Sequence, residues 1–477
     1  MSNSSDEIPA TLGRFIAAAA CEQLPQAVVQ KAQACLLYGL AIGIAAVRAP
    51  QPQQAARAID RESSAGASGA TRLIDGRQLD FPAAAFCNSV LFHSRVQDDS
   101  HPCGHLGGVV IPAALAAAER FDATGADALA AIVAGYEVAL RIGRDHAADL
   151  SERGFRTTPV YGPFAAAACG ARLMKLDAGA CANALSLAAN TAAGLREWSD
   201  TGTEEGPYQV GFATRNGLLA ANMAAAGAVA ASSTLTGRAG FFRAYATDSD
   251  RYARRVCDGL GEEFELERIT CKPYPICQFL TGVVRGMIEL RARAGNRTPR
   301  AVAIHMHPFE ADFVGIRSAG PFASFPQTLM SAPFCAALGW VRQAVTFDGM
   351  HDFTHEAVLA LVRQIVVVSD SSRARYSPRL AVTLDDSTAL EWEETEGANA
   401  YRLTWDTAMK MNVELCAEVG IPPEKAQALA SAVAEIDRAA NVRKVVAAAI
   451  AAAQLALASA SHAQGRTYDA PSAQEEA

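Results

Sequence analysis

Charged side chains are scarce in this chain, at 19% of 477 residues against 50% hydrophobic ones. That balance excludes global disorder, because ample apolar surface is available to offset chain entropy. An excess of basic residues is also missing. The formal net charge of -8 argues against nucleic acid or an anionic membrane as partner, so an anionic ligand has to be met by a local cluster of cations. There is no framework of paired cysteines either. The 11 cysteines are odd in number and scattered singly, as expected of reduced thiols in the cytoplasm. Met1 to Ala10 has neither a basic n-region nor an apolar h-region and does not read as a signal peptide. Apolar runs elsewhere are interrupted by charge or glycine, and none reads as a membrane span of about 20 residues. No internal repeat is found.

What is present is alanine in long runs, at Phe15 to Ala20, Ala224 to Ala231 and Val445 to Ala460, which favours closely packed helices. The length predicts two domains. Apolar residues recur on helical spacing in Gln26 to Ile42, Asp127 to Arg144, Pro163 to Leu176 and Ala178 to Ala192. Asp177 reads as a helix cap, Thr236 before Gly237 as a break, and Ala70 to Ile74 with Asp75-Gly76 as a small hairpin. The character changes at Thr270-Cys271-Lys272-Pro273-Tyr274-Pro275, where two prolines stop any helix. Beyond it, strands are predicted at Ala301 to His307, Ile365 to Val368 and, as a hairpin, Arg379 to Trp392. Helices at Phe279 to Arg293, Gln327 to Val341 and His355 to Arg363 lie between them. The expected fold class is mainly α. A helical domain over 1–270 resumes over 404–460, a smaller α+β domain is inserted over 271–403, and 461–477 is a frayed tail.

The stretch Phe92 to His105 packs two carboxylates, three imidazoles, two hydroxyls and a thiol directly ahead of the apolar Val109 to Ala116. Polar groups converging at the mouth of an apolar element are what a small-molecule site requires. His101 and His105 are four apart, but Pro102 and Gly104 disfavour the helix that would align them. No second cluster has ligand spacing, so no metal site is predicted. His105 reads either as an acid/base group or as a buried, satisfied cap, and Cys103 as a structural thiol. Lys272, stiffened by its prolines, reads as a carboxylate anchor and proton donor or as a linker lysine. Arg156, in Gly154-Phe155-Arg156-Thr157-Thr158-Pro159 ahead of a helix, reads as part of an anion site or as a solvated arginine.

These segments resemble the MmgE/PrpD family, which includes 2-methylcitrate dehydratase, cis-aconitate decarboxylase and iminodisuccinate epimerase. The resemblance runs through Ala84 to His93 leading to Asp98-Asp99-Ser100-His101-Pro102, then Gly135-Tyr136-Glu137-Val138 and Gly162-Pro163-Phe164. It continues with Gly237 to Tyr245 and Lys272-Pro273-Tyr274-Pro275. It implies a helical-bundle domain built from both chain ends, an inserted α+β domain, and a homodimer with its site between the domains. It also implies no cofactor and no structural metal. Residue by residue, it implies proton transfer by His105, Ser100 in place of a neighbouring threonine, and Lys272 as a site lysine.

Departures from the family pattern share a direction. Val96 stands where decarboxylase members carry an aspartate, Arg156 where a histidine occurs, and Gly206 where a lysine occurs. Cys277 stands where a histidine can occur, a choice common across the family, and Arg317 aligns with a tyrosine. Imidazole and phenol, which shuttle protons, give way to guanidinium, which grips carboxylates in a fork. The expectation is a cofactor-free lyase of dehydratase type, moving a proton at the carbon next to a carboxylate of a small di- or tricarboxylate. An epimerase and a non-catalytic carboxylate-binding paralogue are the alternatives, and cis-aconitate decarboxylation is disfavoured. His105, Lys272, Asp99 and Ser100 are the expected catalytic residues. Arg156, Asp98, His101, Tyr161 and Arg317 are the expected substrate contacts, and Tyr161 and Cys103 are candidates for an epimerase's second base.

Overall fold

Several helices begin where a side chain satisfies amides that a first turn leaves unpaired. Asp80 accepts from the Ala83 amide at 3.1 Å ahead of Phe81–His93, and Thr124 from the Asp127 amide at 3.0 Å ahead of Gly125–Gly143. Asp177 accepts from the Ala180 amide at 2.8 Å ahead of Ala178–Ala189, the cap expected there. The computed structural model describes residues 8–62 and 69–465, and these are mainly α.

Three boundaries differ from expectation. The helix foreseen from Pro163 starts at Thr157 and ends at Leu173. Pro159 falls in its first turn, where a missing amide costs nothing, and Pro163 is carried inside. The helix foreseen over Gln327 to Val341 is two, Phe325–Met330 and Ala332–Arg342. Ser331 divides them by capping the Phe334 amide at 3.0 Å. The tail expected to fray from 461 is helical as far as Gly465, the first glycine after Arg443, in the helix Arg443–Gly465. Residues 466–477 lie outside the described residues. The helix Gln26–Ala45 is long and apolar enough to cross a membrane by composition, yet 83% of its most apolar window is buried in the protein. It is a core helix.

Strand β1 (Ala70–Thr71) pairs antiparallel with β2 (Gln78–Leu79) as the expected hairpin. A four-stranded sheet is formed by β3 (Pro299–Met306), β4 (Ile365–Ser369), β5 (Arg379–Leu384) and β6 (Ala389–Glu393), in the order β4-β3-β5-β6. β3 runs parallel to β4 and antiparallel to β5, and β5–β6 is the foreseen hairpin.

Two hydrophobic cores result. The first gathers buried side chains from Ile8 to Cys271 and again from Leu403 to Ala456; the second takes those from Ile276 to Leu384, joined by Trp198. Distant parts of the first core meet at Gly125, whose amide donates to the Ala439 carbonyl at 2.9 Å. A Cβ there would lie 1.8 Å from the Ile436 carbonyl oxygen, so the approach requires glycine. A cavity of ≈ 360 Å³ is lined by residues packed in both cores, among them Phe155 from the first and Met330 from the second.

Candidate active site

The residues around Lys272 are fastened to the polar loop by main-chain pairing. Ser100 and Thr270 exchange both backbone hydrogen bonds at 2.9 Å. The buried Tyr38 hydroxyl accepts from the Lys272 amide at 2.9 Å and donates to the Gln97 carbonyl at 2.5 Å. Gln97 in turn donates its side-chain amide to the Pro273 carbonyl at 3.0 Å. The Lys272 ammonium donates to the Val96 carbonyl and lines the cavity. Burial draws its pKa down, while the charges of Asp98 and Asp99 oppose that shift.

His105 lines the same cavity. Its Nδ1 lies 2.8 Å from the Asp99 backbone carbonyl, which can only accept. Nδ1 therefore carries the hydrogen and Nε2 the lone pair. Its amide donates to Thr158 Oγ1 at 3.0 Å, at the start of the helix Thr157–Leu173. Burial, then the charge of Lys272, holds the ring down to about 3, so it is neutral at physiological pH.

Asp99 acts through its main chain. Its carboxylate is turned away from the cavity, accepting from the Gly107 amide at 2.9 Å and from the Tyr136 hydroxyl. It thereby caps the helix Gly107–Arg120, and a Cβ on Gly107 would come within 2.7 Å of it. Burial pushes this carboxyl up to about 6. Asp99, expected among the catalytic residues, meets His105 through its backbone carbonyl, which orients the ring, and not through its carboxylate.

Asp98 likewise lies behind the cavity wall. Its Oδ2 is 2.8 Å from His93 Nδ1, while His93 Nε2 meets the Arg156 guanidinium. The imidazole is therefore a neutral spacer between carboxylate and guanidinium. Burial opposes ionisation of Asp98, but the His93 contact and the charge on Lys272 outweigh it and hold the carboxyl at about 2. Asp98 Oδ1 is buried with no hydrogen-bond partner among the described residues. Arg156 lines the cavity, stacked 5.1 Å over the Trp198 ring, but it also donates to the Gly206 carbonyl at 2.6 Å. Burial lowers it to about 10, so it stays cationic.

Ser100 and His101 line the cavity too. His101 accepts from the Cys103 amide at 3.2 Å and turns Nε2 to Glu265 at 3.4 Å. Three expectations are corrected by position. Tyr161 is buried in the first core with its hydroxyl 3.1 Å from His146 Nδ1, and it does not line the cavity. Cys103 is buried with its thiol on the Leu140 carbonyl at 3.2 Å, and burial pushes its pKa well up. Arg317 sits at the outer edge of the sheet, bound to Asp312 at 2.8 Å and the Val367 carbonyl at 2.5 Å.

Sequence reasoning missed Arg144, Arg196, Arg375 and Tyr376, all of which line the cavity. Arg196 had a signal, an arginine two residues before a tryptophan in a gap between helices. Arg375 and Tyr376 had none, because the turn that delivers them is remote in sequence from every other site residue. With Arg156 and Lys272, five cations line the cavity among the described residues against one carboxylate, that of Asp145, a local cationic patch on a chain with net charge -8.

The sequence profile of the MmgE/PrpD N-terminal domain matches residues 10–252. Over 318 residues the chain is 29% identical to cis-aconitate decarboxylase-like protein oryM of Aspergillus oryzae, covering 64% of each chain. It is also 29% identical over 314 residues, 63% of each chain, to cis-aconitate decarboxylase of Aspergillus terreus. Identity to cis-aconitate decarboxylase of Homo sapiens is 32% over 175 residues, 35% of this chain and 36% of the relative. The chain thus spans just under two thirds of the length of the Aspergillus relatives. The profile takes in more than half of the residues, including the whole Asp98 to His105 loop and Arg156, and the chain belongs to the MmgE/PrpD family.

Proposed function

We propose that this chain is an enzyme of small di- or tricarboxylates that moves a proton at the carbon next to a carboxylate, with loss of water as the outcome. One observation carries the reading: His105 presents the lone pair of Nε2 in a cation-lined cavity shared with Lys272. A proton next to a carboxylate is only weakly acidic, so the charge that develops on its removal must meet fixed cations. The Lys272 ammonium binds that carboxylate, and Nε2 takes the proton. The electron pair spreads into the carboxylate as an enediolate and then returns to form the carbon–carbon double bond. Hydroxide leaves the neighbouring carbon and takes the proton from Nε2, so water departs and the ring is restored. Bound carboxylates add negative charge beside His105 and raise its pKa from about 3.

An epimerase needs a second base, and the burial of Tyr161 and Cys103 in the first core supports the lyase over it. The names of the relatives favour decarboxylation as a second reading. There carbon dioxide leaves with its bond broken, the electron pair stays on carbon, and Lys272 donates a proton to it. A homodimer belongs to the proposal as well. The helix Gly206–Ala225 exposes Phe212, Leu219 and Met223 along one side, a surface suited to a second copy. The unpaired cysteines fit a reducing compartment, and we place the protein in the cytoplasm.

Proton NMR in heavy water separates these outcomes, using citrate, malate and cis-aconitate as probes. Deuterium incorporation with an unsaturated product supports the dehydratase. Exchange without net conversion points to the epimerase, and carbon dioxide release to the decarboxylase. Binding without exchange by any probe leaves the non-catalytic paralogue.

A further inference from the structure

Lys272 and His105 account for one part of the cavity lining, and another part is built differently. Phe279, Phe309, Phe313 and Tyr376 form an aromatic cluster there, with ring centroids 5.2–6.1 Å apart. Two guanidinium groups lie on it. Arg196 is 4.5 Å from the Phe313 centroid, and Arg375 is 4.1 Å from that of Phe309. A guanidinium held by its flat face keeps its N–H edge available for in-plane bonds.

The two arginines are not equally committed. Arg375 is anchored through Nε to Glu310 at 3.0 Å. Arg196 makes no side-chain hydrogen bond and no ion pair within 4 Å among the described residues. Asp200 is the carboxylate whose charge it feels, and burial draws its pKa down all the same. The other cavity arginines are engaged, Arg144 with Glu265 at 2.7 Å and Arg156 with the Gly206 carbonyl and His93. Its backbone is fixed nonetheless: the Arg196 amide donates to the Gly154 carbonyl at 3.0 Å, and the Arg156 amide to Gly194 at 3.0 Å. A positioned, partly desolvated guanidinium with a free fork calls for an oxyanion.

We propose that Arg196, backed by Phe313 and flanked by Arg375, anchors a second carboxylate of the substrate and so selects ligands carrying two or more. The inference rests on reading the cavity as a carboxylate site with Lys272 at its reacting end. Arg196 belongs to a segment paired with Gly154 to Arg156, whereas Phe313 packs against the second core.

Isothermal titration of the full chain with citrate, succinate and butyrate tests this, comparing wild type with Arg196→Gln, Arg196→Lys and Lys272→Met. A charge-assisted pair lost at Arg196→Gln is expected to weaken citrate and succinate by about tenfold or more, with butyrate unchanged. Arg196→Lys is expected to recover part of the loss, and unliganded Arg196→Gln to melt as wild type does. A merely structural role would not move the ratio of succinate to butyrate affinity. Arg196→Gln binding all three as wild type does, or weakened equally for all three, overturns the selectivity anchor. Lys272→Met weakening every probe leaves the carboxylate-site reading standing in that case. Wild type binding none of the probes overturns both.

Discussion

A neutral imidazole held at about 3 is a weak base in the free protein, and on the proposed reading His105 gains basicity as carboxylates bind beside it. The acidic limb of kcat/KM reports the free enzyme and that of kcat the complex. We therefore expect the kcat limb at higher pH than the kcat/KM limb, whereas coincident limbs in a pH series would remove His105 as the base. His105→Ala should lower turnover by a factor of about 100 to 10,000. The bond it loses to the Asp99 carbonyl is worth only about 1 kcal/mol, so its melting temperature should fall little. At this scale the sequence was informative wherever chemistry was dense. His105, Ser100, His101, Arg156 and Lys272 were legible as candidates, and all line the cavity. Asp99 was legible as a participant but not in its manner, because pattern cannot tell a carboxylate from its own backbone carbonyl. His93 was counted among the imidazoles of the polar stretch, but its place between Asp98 and Arg156 was not legible, because Arg156 is remote in sequence.

Among elements, the pairing of Gln97 to Ser100 with Thr270 to Pro273 does most to define the site. Tyr38 links these two segments from within the buried helix Gln26–Ala45. Tyr38→Phe would strand the Lys272 amide and the Gln97 carbonyl without that partner. We expect a loss of about 2–4 kcal/mol in urea unfolding, together with reduced turnover as Lys272 loses its support. Full turnover in a destabilised Tyr38→Phe would separate the hydroxyl from the site. Helical periodicity disclosed which segments are helices, but not their ends at Pro163 and Ser331. Those depend on which amides a neighbouring side chain satisfies. The parallel pairing of β3 with β4 was not legible at all, since both strands read alike until the intervening helices are placed.

For the molecule as a whole, burial of neutral imidazoles sets the response to acid. His146 sits among Tyr161, Phe241, Phe242 and Tyr252, and burial holds it at about 4 against an ordinary 6.5. Between those values the unfolded chain binds a proton that the folded chain refuses. Stability is therefore full above 6.5 and is lost as pH falls towards 4. His93, His101 and His105 are also lowered and act in the same sense. Asp99, raised to about 6, acts oppositely as pH rises from its unfolded value to 6. We expect the wild type to lose on the order of 3 kcal/mol more than His146→Phe between pH 7 and pH 4. Parallel urea midpoints for the two proteins across that range would contradict it.

The main chain of Lys272 hangs from Tyr38, a residue of the first core, while Phe279 and Phe313 pack with the second, and Phe309, Tyr376 and Arg375 lie against Phe279. The floor and one wall of the cavity thus owe allegiance to different bodies of packing. On the proposed reading, substitutions that reshape the aromatic side are expected to alter which acid is accepted while leaving His105 and Lys272 in place. The rings that back Arg196 and the pair that moves the proton could, on that reading, therefore change independently.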